Sequence, residues 1–390
     1  MEAADFCRKK EQGKKMKKMM EKNTVEERKG NLTEEDQKKE ICDAEKQQEK
    51  LRFECDYLEG AVPEIMQRLM ETNLVQTPGY SEDVYCESAR EKIRALCGQE
   101  DAAVHFLVGG TQTNLTVICA ALRPHQGVVA ASTGHINVHE TGAIEAAGHK
   151  VLTVPGKDGR LNAAQVEELC RLHYADASFE HMVQPGMVYI SYPTEYGTLY
   201  TKEELREIHR VCKKYDMPLF IDGARLGYGL MSQECDLTLS ELADLCEVFY
   251  IGGTKCGALF GEAVVILEER LKKDFRYLIK QRGGMLAKGR LLGLQFDTLF
   301  TDDLYFCVCK KADQLAQKLR SAFEAKGYRM LVDSPTNQQF PVLPDTEIDR
   351  LSGQFSFSFW EKVDETHSAV RFCTSWATTE EAVERLIAVL

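Results

Sequence analysis

The chain has 390 residues, 44% of them hydrophobic, and a net charge of −12. That length exceeds one ordinary domain and can bury a sizeable core, so two packed domains are expected, while the acidity argues against a general nucleic-acid surface. No apolar run is long enough to span a membrane and the start MEAADFCRKKEQGKKMKKMM holds no cleavable apolar core, so a cytoplasmic protein without a membrane partner is expected.

Residues 1–50 carry 14 Lys and Arg against 13 Asp and Glu, with Phe6 their one aromatic. A segment so charged cannot build a core, which predicts a disordered or helical solvated extension, with a basic arm for an anionic partner as the sharper alternative. Globular patterning starts near Leu51. AVHFLVGG reads as a strand and turn, followed by a helix over Gln112–Leu122; GVVAAS, KVLTVPG, GMVYISYP, PLFID, EVFYIGG and EAVVIL read as further strands. Between them LNAAQVEELCRLHYA and TKEELREIHRVCKKYD have helical spacing, the second opened by a capping box from Thr201 to Glu204. This alternation predicts a mainly parallel sheet covered by helices. After Glu268 longer helices appear, then the strands FSFSFW and AVRFCTSW and the helix TTEEAVERLIAVL, an α+β pattern of their own. The expected organisation is therefore an extension over 1–50, a large domain over 51–280 whose first residues, 51–85, form an arm reaching the site, and a small domain over 281–390. The fourteen cysteines are scattered, and Cys307 with Cys309 has no second pair at metal spacing; buried reduced thiols are expected rather than a zinc site.

Lys255 in EVFYIGGTKCG lies 33 residues after Asp222 in PLFIDGARLGYGL. Each follows a short buried strand and opens a glycine-containing turn, and strand ends of this kind are where open α/β sheets bind ligands. A lysine there can form a Schiff base with an aldehyde cofactor, and a carboxylate on the neighbouring strand end can keep a pyridine nitrogen protonated, so the pair points to pyridoxal phosphate. Asp222 supports this separately: a carboxylate directly after PLFI is costly to bury unless it meets a cation, and a pyridinium is one. VGGTQTN, ending the first strand, suits a phosphate cup with Thr111 as a hydroxyl donor and equally suits a helix cap. His135 can stack on a ring or cap a helix, and Glu140 can orient a neighbouring loop. Arg225 can pair with Asp222.

These segments, IDGARLGYGL, GGTKCGALFGEAVV, VGGTQTN and GHINVHETGA, resemble in order and spacing the threonine aldolase and β-eliminating lyase family of fold type I pyridoxal phosphate enzymes, from about Phe53 to the C-terminus. The resemblance implies a mainly parallel seven-stranded sheet sandwiched by helices with a smaller α+β C-terminal domain, pyridoxal 5′-phosphate as cofactor, an amino-acid substrate, no metal, and a homodimer or homotetramer. It implies that Gly110, Thr111 and Gln112 hold the cofactor phosphate, that His135 stacks on the ring, that Arg225 lies near the phenolic oxygen, and that Arg371 in AVRFCTSW receives the substrate carboxylate.

Two departures bear on the substrate. The family's apolar residue, serine and aspartate are matched here by Phe53-Glu54-Cys55-Asp56, so the Cys55 thiol replaces a substrate-contacting hydroxyl. A histidine-containing segment of the threonine aldolases is matched by Thr194-Glu195-Tyr196, which puts Glu195 beside the substrate. The expected reaction is cleavage of a β-hydroxy-α-amino acid, threonine or allo-threonine in type, to glycine and an aldehyde, with His135 or Glu195 as the base. The alternatives are β-elimination on another amino acid and a catalytically silent binding or regulatory protein.

Overall fold

The computed structural model describes residues 50–390, so the extension expected over residues 1–50 lies, but for its last residue, outside the described residues. Residues 52–390 form one compact unit. Its centre is a seven-stranded sheet made of β1 (Ala103–Leu107), β2 (Gln126–Ala131), β3 (Val151–Val154), β4 (Gln184–Ser191), β5 (Leu219–Asp222), β6 (Val248–Gly252) and β7 (Glu262–Ile266). The spatial order is β1-β7-β6-β5-β4-β2-β3. Strands β2 to β6 run parallel to one another, and β7 runs antiparallel to both β1 and β6.

Strand residues alternate between two apolar layers, as the period of two requires. Val128, Tyr189, Phe220, Tyr250 and Val264 enter one layer together with Val117 and Ile118 of α2 (Gly110–Ala121). Val129, Val188, Ile221, Phe249 and Val265 enter the other, with α1 (Val84–Cys97), α3 (Ala163–Ala175) and α4 (Lys202–Lys214). Burying both faces explains why the strand sequences read as near-continuous apolar runs. The expected capping box on α4 forms, with Thr201 Oγ1 accepting from the Glu204 N–H and Glu204 accepting from the Thr201 N–H; α3 carries a second one built from Asn162 and Gln165.

Beyond β7 come α5 (Arg290–Leu299) and α6 (Leu304–Ala325), then a small antiparallel sheet in which β11 (His367–Cys373) pairs with β8 (Gln338–Gln339), β9 (Val342–Pro344) and β10 (Ser358–Lys362). Its register sets Ser358 opposite Arg371. The arm joins this sheet through the backbone: the Phe53 N–H donates to the Ser356 carbonyl at 2.7 Å and its carbonyl accepts from the Cys373 N–H at 2.7 Å. Among the described residues no helix is long and apolar enough to cross a membrane.

The carboxyl ends of β5 and β6 meet backbone against backbone. The Gly252 N–H donates to the Gly223 carbonyl at 2.9 Å. A Cβ on Gly223 would stand 1.9 Å from the Tyr250 carbonyl oxygen, and one on Gly252 would stand 2.3 Å from that of Ala224. These two glycines let the turn carrying Asp222 lie against the turn carrying Lys255. Gly223→Ala is therefore expected to destabilise the fold by on the order of 3 kcal/mol, since rigid backbone cannot move aside as a flexible side chain would. A thermal-unfolding midpoint equal to the parent's would show that the turn yields.

Candidate active site

Strand β5 ends at Asp222 and β6 at Gly252, and the turn that follows β6 presents Thr254 and Lys255. Strand β1 leads through Val108 and Gly109 into α2, whose first residues are Gly110 and Thr111. Gly110, Thr111, Asp222, Arg225, Lys255 and Glu262 line one cavity of about 180 Å³. His135, Glu195, Arg225 and Lys255 also belong to the wall of a second, wider cavity of about 620 Å³, which adds Tyr57, Tyr196, Trp360 and Arg371. The two spaces thus share a wall: a narrow chamber below and an open vestibule above.

Asp222 is 3% exposed. Its Oδ2 accepts from Tyr189 Oη at 2.6 Å and from Asn114 Nδ2 at 2.9 Å; its Oδ1 accepts from the Ala224 N–H at 3.0 Å and from Tyr250 Oη. Burial pushes this carboxyl up, and the His135 charge, the two tyrosine hydroxyls and the Ala224 N–H more than offset it, leaving the group below the usual carboxylate value and ionised. Asn114 also donates to Glu140 Oε1 at 2.7 Å, and the same oxygen meets His135 Nδ1 at 2.8 Å. A chain of polar contacts therefore runs from Asp222 through Asn114 and Glu140 to the imidazole. Lys255 has its basicity lowered, first by burial and then by the Arg225 charge, which favours the nucleophilic free amine.

Arg225 does not pair with Asp222. Its Nε meets Asp56 Oδ2 at 2.6 Å and its Nη2 meets Asp56 Oδ1 at 2.9 Å, a bidentate pair in which Asp56 has 0% exposure and also accepts from Asn337 Nδ2 at 2.9 Å. Burial pushes Asp56 up, yet the Arg225 and Lys255 charges bring it down to about 2. Arg371 donates to Gln338 Oε1 at 3.2 Å and to the Glu54 carbonyl at 3.0 Å and lies over the Trp360 ring at 5.5 Å, while its Nε is buried without a partner among the described residues. Glu195 Oε1 accepts from the His135 N–H at 2.9 Å and from Ser191 Oγ at 2.7 Å, and burial raises its carboxyl.

Two of the expected residues are turned elsewhere. The Gln112 side chain accepts from the Val108 N–H at 3.3 Å and donates to the Arg282 carbonyl at 3.0 Å, so its amide braces the turn and lines neither cavity. Cys55 also lines neither; from the same arm Tyr57 reaches the vestibule and Asp56 reaches Arg225. Sequence reasoning did not single out Asp56, Asn114, Tyr189, Tyr250 or Glu262. The tyrosines carried a usable signal, since strand parity sets them on the layer that receives the β5 end.

Pyridoxal phosphate suits this donor set: an amine of lowered basicity, an ionised carboxylate and the free N–H groups of a helix start open onto one chamber. Glu262 Oε2, in the chamber wall, and Asn114 Oδ1, on the side chain that holds Asp222, are buried without partners among the described residues. The imidazole offers a separate check. Burial lowers His135, but the Glu140 hydrogen bond and the Asp222 and Glu140 charges raise it above the ordinary histidine value. The stability this contributes is complete below that ordinary value and is lost as pH rises through the raised one. Glu140→Gln is expected to move the His135 titration, followed by NMR, downward and to reduce that pH-dependent part of the stability, with the Asp222 charge keeping the remainder; an unmoved titration would show that Glu140 does not hold the ring.

The sequence model of the β-eliminating lyases matches residues 53–342. The chain is 28% identical over 338 residues to the low specificity L-threonine aldolase of Pseudomonas aeruginosa, spanning 86% of this chain and 95% of that one. Its fold superposes on a threonine aldolase of Leishmania major with a TM-score of 0.85 and 45% identity, covering 87% of this chain and 98% of the other. Cystalysin from Treponema denticola, whose structure contains a pyridoxal 5′-phosphate cofactor, shares the fold at a TM-score of 0.66 and 14% identity over 87% of this chain and 90% of its own. With its lysine, aspartate and helix start gathered at one end of the sheet, the chain belongs to the β-eliminating lyase family.

Proposed function

We propose that this chain is a pyridoxal phosphate-dependent lyase that cleaves the Cα–Cβ bond of threonine-type β-hydroxy-α-amino acids, giving glycine and an aldehyde. The observation that carries the reading is an ionised buried carboxylate, Asp222, opening onto the same chamber as the amine of Lys255, together with the likeness to threonine aldolases. When bound, the cofactor supplies an electron sink for the pair released as the bond breaks.

In this reading the protein's own groups divide the work. Lys255 anchors the cofactor, Asp222 holds a proton on the ring nitrogen, and Gly110 with Thr111 and the start of α2 binds the phosphate. His135 packs on the ring, aimed by Glu140. Arg225 stays near the phenolic oxygen because Asp56 grips its Nε and Nη2 and leaves Nη1 unengaged by that pair. Arg371 receives the substrate carboxylate, for which its unpartnered Nε and planar fork are suited. The β-hydroxyl proton goes to His135 or Glu195, both in the wall between chamber and vestibule. Tyr57, His139, Tyr196 and Trp360 then border the aldehyde-forming side chain.

A homodimer or homotetramer is part of the same reading. Leu74 and Met70, 91% and 79% exposed, are next in sequence to Val75 and Leu69 of a groove also lined by Pro78, Leu259 and Leu291, an apolar edge suited to a second copy. So are the cytosolic compartment, supported by the free thiols of the described cysteines, and the division into domains near residue 280.

Incubation with L-threonine and L-allo-threonine should yield glycine and acetaldehyde without ammonia, because cleavage between Cα and Cβ leaves the nitrogen on glycine. Ammonia and a keto acid, with no glycine, would replace this reaction by β-elimination and leave the cofactor site standing.

Asp222→Asn should fold and retain cofactor yet lose turnover by about a hundredfold or more, the scale on which one preorganised charge contact acts in a dry site. Borohydride should fix the cofactor on Lys255, read by peptide mapping; attachment at another lysine, or full turnover in the asparagine variant, would sink the assignment.

A further inference from the structure

Glu262 belongs to the chamber but has no part in the chemistry above. It opens β7, in register with Leu107 on one side and Gly252 on the other. Leu107 ends the strand that turns into the start of α2, and Gly252 ends the strand that turns into Lys255. The carboxyl therefore stands between the two turns, 3% exposed, in the wall of the 180 Å³ chamber that Gly110 and Thr111 also line. Its Oε1 accepts from Thr254 Oγ1 at 2.8 Å; its Oε2 is buried with no partner among the described residues. The charged groups facing it are Lys255 and Asp222, with Arg225 across the chamber, while Gly110 and Thr111 bring α2 in without a charged side chain.

Taking the cofactor reading as given, we propose that Glu262 acts as a neutral carboxylic acid whose Oε2–H donates a hydrogen bond to the cofactor's phosphate. A phosphate ester that has lost both protons offers acceptors only, so an ionised carboxylate beside it would be repelled, whereas a protonated one supplies the missing donor. Burial already pushes this carboxyl up to about 8, with Asp222 adding to the rise and Thr254 and Lys255 opposing it. A second anion in the chamber raises it further. Binding the phosphate then takes up a proton, and its affinity falls as pH climbs through the carboxyl's range.

The test compares pyridoxamine 5′-phosphate with pyridoxamine, neither of which can be captured by Lys255, on the full-length chain freed of cofactor. Their affinity ratio isolates the phosphate, whose own second ionisation near about 6 is complete at the pH values used. The parent's ratio is expected to fall about tenfold per pH unit above about pH 8. In E262Q, whose amide still donates but does not titrate, the ratio should stay level. A level ratio in the parent, or an equal fall in E262Q, overturns the proposal. Should E262Q not fold, infrared difference spectra of the parent decide: a carboxylic-acid carbonyl band that accompanies pyridoxamine 5′-phosphate but not pyridoxamine supports it, and no such band overturns it. Failure of both compounds to bind, with no lysine labelled by borohydride in the presence of pyridoxal phosphate, overturns the cofactor reading and this proposal together; binding of both with a level ratio overturns this proposal alone.

Discussion

Everything at the site depends on keeping one carboxylate charged in the interior. Removing Asp222 from water opposes its ionisation, and the sheet counters this with donors drawn from separate elements: Tyr189 on β4, Tyr250 on β6, Asn114 on α2 and the backbone of its own turn. Each contact is local, but together they require β4, β5, β6 and α2 to hold a common level. The close approach at Gly223 and Gly252 has the same effect from the backbone side. The charge and the packing are thus one constraint: a strand that slid by a residue would lose its tyrosine to the opposite layer and leave the carboxylate uncompensated.

The chamber sorts its acids by environment. Asp222 and Asp56 are enclosed and ionised because hydrogen-bond donors and cations surround them, whereas Glu262, equally enclosed, and Glu195, half-buried at the vestibule wall, are pushed toward the neutral form. The distribution of partners, rather than depth of burial, separates Glu262 from the two aspartates. Asp56 has a guanidinium fork; Glu262 has one hydroxyl and an oxygen with nothing to accept.

Much of this was legible in the sequence. The seven strands announced themselves as short apolar runs ended by glycine or a polar residue, and the chemistry of Lys255 and Asp222 follows from their standing at two such ends. What could not be read is which side chains turn inward at a given level. Gln112 looked like a phosphate ligand because it follows Gly110 and Thr111, yet on the helix its amide swings back to Val108 and across to Arg282. Cys55 looked like a substrate contact, and the extended arm directs its neighbours Asp56 and Tyr57 to the site instead. Arg225 was close enough in sequence to pair with Asp222, and the fold supplied a partner from the arm, 169 positions away. Contacts of that span leave no local trace in composition or periodicity.

The threading of Phe53 has a consequence for the order in which the protein can be made. The backbone of this residue is held by Ser356 and Cys373, and Asp56 beside it is held in part by Asn337, 281 positions later. During synthesis the early strands and helices emerge long before those partners leave the ribosome. The arm must therefore wait without its backbone partners while the central sheet assembles, and Asp56 lacks its Asn337 contact in the meantime. The nascent chain thus cannot complete its cofactor chamber, and β11, whose last residue Cys373 pairs with Phe53, acts as the closing stitch of the globular chain.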